Sequence, residues 1–94
     1  MLQGYPAILH GGVVSLLLDG VMTNCLFSAG ITAVTGRLEV RYLRPVAIDQ
    51  TVHLSARILK SRRTLHYVEA ELVQESEVKV TAVGSFVDRR AASG

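Results

Sequence analysis

A histidine and two glycines, His10-Gly11-Gly12, stand directly before the longest apolar stretch of the chain. When glycines begin a helix, no side chain shields its first backbone N–H groups, which lack intrahelical partners and lie at the positive end of the helix dipole. Such groups bind anions, and they stabilise the oxyanion that forms when a carbonyl carbon is attacked. The pattern predicts an anion or oxyanion site, and a tight turn without chemistry is the alternative.

Asp19 is the second residue whose type and position could do chemistry, because it lies in the middle of apolar sequence. Ser15, Asp19 and Thr23 are spaced four residues apart, so a helix would place them in one polar stripe. A carboxylate in that stripe can act as a general base or as a nucleophile. The competing interpretation is a carboxylate that only accepts a hydrogen bond from Thr23 or from a partner residue.

Two kinds of periodicity predict the elements that position these residues. From Gly12 to Ser28, apolar residues point in nearly every direction of a helix, so we expect a helix covered by protein on most sides. After Gly30 the period changes to two, and the alternation predicts half-buried strands over 37–42, 51–58, 68–73 and 78–86. An antiparallel sheet that buries its apolar face on the helix follows, and the expected fold class is α+β.

Length and composition limit the class of protein. The chain has 94 residues, of which 49% are hydrophobic and 19% charged, so we expect one domain over residues 1–94. No charge-free apolar run of about 18 residues is present to span a bilayer, and residues 1–4 lack the positive charge of a signal peptide. The single cysteine, Cys25, excludes an internal disulfide and fits a reducing compartment. We therefore expect a soluble, cytoplasmic protein.

The charged and titratable residues argue against a nucleic-acid partner. A net charge of +2 and an aromatic fraction of 5% are both too low for that function. A basic cluster, Lys60-Ser61-Arg62-Arg63, is nevertheless large enough to hold one or two phosphate groups. His53 and His66 are expected to be solvated or hydrogen-bonded at the surface, and Cys25 is expected in the core.

The motifs taken together resemble a known family. His10-Gly11-Gly12, Asp19 nine positions after the histidine, and Val40-Arg41-Tyr42-Leu43-Arg44-Pro45 are similar to the hotdog-fold acyl-CoA thioesterases of the phenylacetate-pathway and 4-hydroxybenzoyl-CoA types. The resemblance covers nearly the whole chain. It implies a long central helix wrapped by a curled antiparallel sheet, a homodimer or homotetramer, and hydrolysis of coenzyme A thioesters at the dimer interface. It implies no separate cofactor, because coenzyme A is part of the substrate.

The resemblance also implies roles for the residues around the helix entrance. The N–H of Gly11 would polarise the thioester carbonyl, Gly12 would belong to the substrate-binding turn, and His10 would position the thioester. The partner subunit's Asp19 would be the general base or the nucleophile.

Two further sets of residues receive roles from the resemblance. In related enzymes, a hydroxyl residue ten places before the proline of the Arg-Pro pair assists the water, and counting back from Pro45 makes that residue Thr35. Lys60, Arg62 and Arg63, at the turn between the second and third strands after the helix, stand where relatives often hold the phosphates of coenzyme A.

The chain departs from the family before the helix. Only nine residues precede His10, whereas relatives have a further strand there, so we expect an N-terminal strand that is missing or short and one open sheet edge. Some relatives carry an asparagine six residues before the histidine, and this chain has Gly4. These differences keep a second interpretation open, a binding module that retains the coenzyme A pocket without turnover.

Two other enzyme classes fit the residues less well. A hotdog dehydratase or hydratase would need a histidine five positions after Asp19, where this chain has Asn24. A metal or serine hydrolase would need clustered ligands or a Gly-x-Ser-x-Gly elbow, and the sequence contains neither pattern. The sequence therefore predicts an acyl-CoA thioesterase, with the non-catalytic coenzyme A-binding module as the alternative.

Overall fold

One helix and five strands make up the described part of the chain. The computed structural model describes the backbone of residues 2–8 and, with side chains, residues 14–89. The elements, in chain order, are β1 (Leu2–Ile8), α1 (Val14–Ser28), β2 (Ala33–Tyr42), β3 (Thr51–Arg62), β4 (Leu65–Gln74) and β5 (Glu77–Asp88). The four strands predicted after the helix and the α+β class are confirmed. Among the described residues, no helix is long and apolar enough to cross a membrane.

The five strands form one antiparallel sheet. Its order is β1-β3-β4-β5-β2, so β1 and β2 lie at its two edges. The strand before the helix is therefore present: β1 pairs with β3 from Leu2 opposite Arg57 to Ile8 opposite Thr51. At seven residues it is the shortest of the described strands. The expectation of a missing strand was wrong, and the expectation of a short one is confirmed.

The hydrophobic core lies between α1 and one face of the sheet. Six residues of α1 are buried, and they meet the inward-facing residues of β3, β4 and β5. The opposite face of the helix is open in the single chain, where Leu16 is 71% exposed and Phe27 is 68% exposed. The prediction of a helix covered on most sides was wrong for one chain, because the sheet reaches only one face. The core members are Val14, Leu18, Val21, Met22, Cys25, Leu26, Val52, Leu54, Ala56, Val68, Ala70, Leu72, Val80, Ala82 and Phe86.

The helix ends at a glycine in the left-handed conformation. Gly30 has φ 84°, a value that costs glycine little because it has no side chain. The N–H of Gly30 donates to the carbonyl of Phe27 at 2.9 Å, and the N–H of Ile31 donates to the carbonyl of Leu26 at 2.9 Å. This pair of bonds is a Schellman motif, which satisfies the last carbonyls of α1 and turns the chain into β2.

Two β-bulges change which side chains face the helix. One lies between Thr35 and Arg37 in β2, and the other lies between Ile58 and Lys60 in β3. A bulge inserts one extra residue on its strand, so residues on either side of it can share a face although simple alternation would separate them. Both bulges bear on candidate functional residues.

A buried glutamine joins the loop before β3 to the end of β4. Gln74 is almost completely buried, and its side-chain amide donates to the carbonyl of Ala47 and accepts from the N–H of Ala47, both at 2.9 Å. The two bonds satisfy a polar side chain that would otherwise be costly to bury. They fix the loop of residues 43–50 to the sheet.

Candidate functional site

The structure brings Asp19 and Thr35 together. The Thr35 hydroxyl donates a hydrogen bond to the Asp19 carboxylate, with 2.8 Å between Oγ1 and Oδ1. Asp19 is partly buried in α1 and Thr35 is exposed at the edge strand β2, so their contact faces accessible surface. The geometry holds one carboxylate oxygen in place beside a hydroxyl group, which is an arrangement that can orient a water molecule.

Thr35 faces the helix because of the bulge that follows it. Thr35 is opposite Phe86, a fully buried residue of β5, so both side chains point to the helix side of the sheet. Simple alternation would place Thr35 on the same face as Arg37, which is exposed. The extra residue, Gly36, allows Thr35 and Leu38 to share the inner face.

The hydroxyl of Thr23 contacts a different part of Asp19. Thr23 Oγ1 donates to the main-chain carbonyl oxygen of Asp19 at 2.8 Å, which is the usual bond of a threonine to the carbonyl four residues earlier in a helix. Of the competing interpretation, the bond from Thr23 to the carboxylate is therefore not what the structure shows, whereas a bond from a partner residue is present. Thr35, sixteen residues away in sequence, is the hydroxyl residue that contacts the carboxylate.

The helix entrance lies outside the described residues. His10, Gly11 and Gly12 fall in the segment 9–13, so the predicted oxyanion site remains a prediction. Gly4 is described in β1, opposite Ser55. A Cβ atom added at Gly4 would lie 3.0 Å from the carbonyl oxygen of Leu54, so a larger side chain there would require a local shift.

The basic residues lie at the hairpin between β3 and β4, which we call the basic hairpin (residues 60–65). Arg63 lies in the two-residue turn, and Lys60 and Arg62 lie at the adjoining end of β3, so their predicted place at the turn between the second and third strands after the helix is confirmed. All three are exposed, and Lys60 Nζ lies 5.8 Å from the centre of the Tyr67 ring. In sheet order, β4 and β5 lie between β3, which carries Lys60 and Arg62, and β2, which carries Thr35.

The two histidines in the strands have different surroundings. His53 is exposed, as expected. His66 is only 4% exposed, because it lies on the helix side of β4, and its Nδ1 is 2.7 Å from Ser61 Oγ. The expectation of a surface residue was wrong for His66, although the expected hydrogen bond is present. Its alternation with Val68 was the signal that could have placed it inside.

Cys25 is a core residue. Its side chain is buried in α1, and its Sγ donates to the carbonyl of Ala56 at 3.6 Å. Burial raises the pKa of the Cys25 thiol, which disfavours the thiolate that a nucleophile requires. The structure therefore offers no support for cysteine chemistry at this position.

The outer face of the sheet carries a groove of about 590 Å³. Its floor includes Ala56, Ala70 and Ala82, and the ion pair between Arg57 and Glu69 lies along it. This groove is on the face opposite the helix, so it is separate from the Asp19 and Thr35 contact. Within the described ranges, no group of three His, Cys, Asp or Glu side chains is placed to hold a metal ion.

Comparison with known proteins agrees with the architecture and with the family that the sequence resembles. The model of the thioesterase superfamily matches residues 7–81 of the chain. Acyl-coenzyme A thioesterase 13 of Mus musculus is 30% identical over 78 residues, which are 81% of this chain and 56% of the relative. The chain thus spans about half the length of this curated relative.

Solved structures share the same fold. A hypothetical thioesterase of Streptococcus pneumoniae TIGR4, solved with coenzyme A, has a TM-score of 0.86 at 17% identity. The match covers 93% of this chain and 80% of the Streptococcus protein. The PaaI protein of the phenylacetic acid degradation operon of E. coli has a TM-score of 0.84 at 18% identity, covering 92% of this chain and 75% of its own. At these identities the likeness establishes the fold alone.

Proposed function

The chain belongs to the thioesterase superfamily and has a hotdog fold, and from that premise we propose that it hydrolyses acyl-CoA thioesters. The observation that carries the proposal is the 2.8 Å hydrogen bond between Thr35 and the Asp19 carboxylate. The two residues were selected from separate motifs, one in the helix and one counted back from Pro45. Their contact is what a shared catalytic task requires. The thioesterase activity of the curated relative supports the same reaction class.

In the proposed reaction, water replaces coenzyme A on the acyl carbon. The Asp19 carboxylate takes a proton from water, and the water oxygen attacks the thioester carbonyl carbon. The carbon–sulfur bond then breaks, and coenzyme A leaves as a thiol because its sulfur takes the proton that Asp19 had accepted from water. The alternative route begins with attack by the carboxylate itself and gives an anhydride that water hydrolyses. Both routes give the free acid, and both need Asp19.

Thr35 orients the carboxylate in either route. Because its hydroxyl donates to Oδ1, the plane of the carboxylate is fixed relative to β2. In this proposal the other carboxylate oxygen, Oδ2, acts on the water or the thioester. Positioning of this kind lowers the barrier by reducing the freedom that must be lost on reaching the transition state.

The second half of the site comes from another chain in this proposal. Asp19 is five residues after Val14, which places it about 7.5 Å further along the helix axis at 1.5 Å per residue. Gly11 precedes Val14 in sequence, and with the helix entrance at Gly11 and Gly12, as the sequence predicts, we expect its amide to lie further still from the Asp19 of its own chain. Groups that act on one carbonyl must lie within about 3 Å of the reacting atoms. We therefore assign Gly11 and His10 of one subunit to the Asp19 of its neighbour.

The open face of α1 supports the same assembly. Leu16 and Phe27 are large apolar side chains that remain exposed in a single chain, and they lie on the side of the helix away from the sheet. Exposed apolar surface of this kind is typical of protein interfaces. A homodimer or homotetramer would cover it and would bring a second helix entrance close to Asp19.

The basic hairpin is assigned to the phosphates of coenzyme A. Lys60, Arg62 and Arg63 are exposed, and ammonium and guanidinium groups suit phosphate oxygens. The structure of the Streptococcus pneumoniae protein with coenzyme A supports a coenzyme A ligand for this fold. Gly12 would contribute to the turn that receives the acyl end of the same ligand.

Steady-state hydrolysis of a panel of acyl-CoAs tests the proposal. Asp19→Asn keeps the size of the side chain and removes its basicity, so we expect kcat to fall by about 10²- to 10⁴-fold. Thr23→Ala is the matched control, because Thr23 contacts only the main-chain oxygen of Asp19 among the described contacts. We expect its kcat to stay within about twofold of the unaltered protein.

Two results would contradict the proposed mechanism or activity. Equal rates for Asp19→Asn and the unaltered protein would exclude Asp19 from the reaction. Binding of coenzyme A without hydrolysis of any acyl-CoA in the panel would favour the non-catalytic binding module.

A further inference from the structure

A polar cluster lies under the basic hairpin, on the helix side of the sheet. We call it the Ser61–His66–Asp88 cluster after its members on β3, β4 and β5. Nδ1 of His66 is 2.7 Å from Ser61 Oγ, and Nε2 of His66 is 3.8 Å from Asp88 Oδ2. The histidine is 4% exposed, so both sides of its ring are enclosed by protein.

The cluster has one nitrogen without a hydrogen bond. Nε2 of His66 is buried and has no hydrogen-bond partner among the described residues, although the Asp88 carboxylate faces it. A buried polar atom of this kind is unfavourable, and an apolar ring of similar size would avoid the cost. The position therefore calls for a function that the ring nitrogens serve.

The cluster encloses the turn of the basic hairpin. Ser61 and His66 are opposite each other on β3 and β4, one pair inward from Arg62 and Leu65. On the third strand, the N–H of Asp88 donates to the carbonyl of Thr64 at 2.6 Å. The main-chain N–H of Asp88 thus attaches the turn to β5, and the bond between Ser61 and His66 joins the two strands that the turn connects.

The turn itself is held in an unfavourable backbone conformation. Arg63 has φ 52°, in the left-handed region that residues with a side chain seldom adopt. Such a conformation persists only where the surrounding structure fixes it. The bulge between Ile58 and Lys60 also places Lys60 opposite Tyr67, while Ser61 faces His66 on the inner side. The hydrogen bond between Ser61 and His66 therefore links β3 and β4 directly beside the basic side chains.

From this geometry we propose that His66 is a positioning residue for phosphate binding. Its bond to Ser61 links β3 and β4 beside the turn and so keeps Lys60, Arg62 and Arg63 in the arrangement that binds the phosphates of coenzyme A. The inference rests on the proposed function, since it takes the basic hairpin as the phosphate site. It assigns His66 no contact with the ligand and no part in the bond-breaking steps.

Binding of coenzyme A and of pantetheine, measured by calorimetry, tests the inference. Pantetheine lacks the nucleotide and its phosphates, so it does not depend on the basic hairpin. His66→Phe removes both ring nitrogens at similar size, and we expect its Kd for coenzyme A to rise about five- to tenfold through the loss of ordered charge-assisted bonds. We expect its Kd for pantetheine, and its kcat for a saturating acyl-CoA, to remain within about twofold.

Two variants separate positioning from a general loss of structure. In His66→Asn, the side-chain oxygen lies close to the place of Nδ1, so we expect it to restore most of the affinity by bonding Ser61. His53→Phe changes the exposed histidine of β3 and serves as the control with unaltered binding. If His66→Phe does not fold, Ser61→Ala carries the same expectation, because it removes the other partner of the bond.

The outcomes for the inference and for the proposed function are distinct. An unchanged Kd for coenzyme A in folded His66→Phe would overturn the inference while leaving the thioesterase proposal intact. An equal rise in Kd for coenzyme A and for pantetheine in His66→Phe would assign His66 a purely structural role and overturn the inference. A fall in kcat as large as the loss of coenzyme A affinity would do the same. Failure of the unaltered protein to bind coenzyme A would overturn the assignment of the hairpin and the inference together.

Discussion

Thr35 and Asp19 form a pair in which each residue limits the freedom of the other. The threonine donates to one carboxylate oxygen, and its own position is set by the bulge at Gly36 and by its place opposite Phe86. A carboxylate held in this way presents its second oxygen in a defined direction. The pair therefore resembles a base and its orienting group, in which the orienting residue matters through geometry.

Substitutions of Thr35 test the orienting role. Thr35→Ser keeps the hydroxyl, and we expect kcat/KM within about threefold of the unaltered protein. Thr35→Val keeps the shape and removes the donor, and we expect a fall of about 10- to 100-fold, mostly in kcat. Equal kinetics for the serine and valine variants would show that the hydroxyl has no part in catalysis.

At the residue scale, the sequence was least reliable in predicting whether a side chain points to the inner or the outer face of the sheet. Alternation of residues 37–42 would place Thr35 with Arg37 on the outer face, and Thr35 was found only through its spacing from Pro45. His66 was also expected at the surface, although its alternation with Val68 indicates the buried face on which it lies. The error at Thr35 has a different cause. Bulges cannot be read from a period of two, because the extra residue shows no signal in hydrophobicity.

At the scale of the elements, long alternating segments predicted the strands well. Residues 51–58 and 78–86 alternate without interruption, and they lie within β3 and β5. A full N-terminal strand was not predicted at the position of β1, because Gly4 and Pro6 are both unfavourable in strands. At an edge Pro6 is tolerated, since a residue without an N–H can occupy the side that pairs with no neighbour.

The Gln74 contact predicts how the loop before β3 contributes to stability. Gln74→Leu removes both bonds to Ala47 and leaves the loop amide and carbonyl without their partner. We expect the free energy of unfolding to fall by about 2 kcal/mol or more. Urea denaturation measures it, with Gln50→Leu at an exposed position as the control. A loss below about 0.5 kcal/mol would show that water replaces the bonds without cost.

The start of β5 carries a carboxylate whose charge favours the folded state. Lys79 donates to Glu77 at 2.9 Å, and Arg44 lies 3.0 Å from its other oxygen, so the pKa of Glu77 is lowered from 4.5. A lowered pKa stabilises the fold at pH values above 4.5, and this contribution is lost as the pH falls toward the folded value.

The corresponding measurement is the unfolding transition of Glu77→Gln as a function of pH. We expect the variant to be less stable than the unaltered protein near pH 7 and the difference to disappear in acid. Because Glu77 is on the surface, we also expect added salt to reduce the difference at neutral pH. A difference that persists unchanged below about pH 3 would contradict this cause.

At the scale of the whole molecule, the exposure of the helix face that bears Leu16 and Phe27 is the main feature that one chain does not explain. The sequence indicated an apolar helix in all directions, and a single sheet covers only one side of it. In the proposed assembly a second copy of the chain covers the other side, and no pattern within one chain can locate that copy. The proposed two-chain site also requires a second chain, because it joins the helix entrance of one subunit to the Asp19 of its neighbour.

Mixing two inactive variants tests the two-chain site most directly. Asp19→Asn removes the carboxylate, and Gly11→Pro removes the backbone N–H that would polarise the carbonyl. Subunits mixed in equal amounts, dissociated and reassociated should form mixed dimers with one intact site each, so we expect about a quarter of the unaltered activity. Activity no greater than the sum of the two separate variants, in a sample shown to contain mixed dimers, would contradict a site shared between chains.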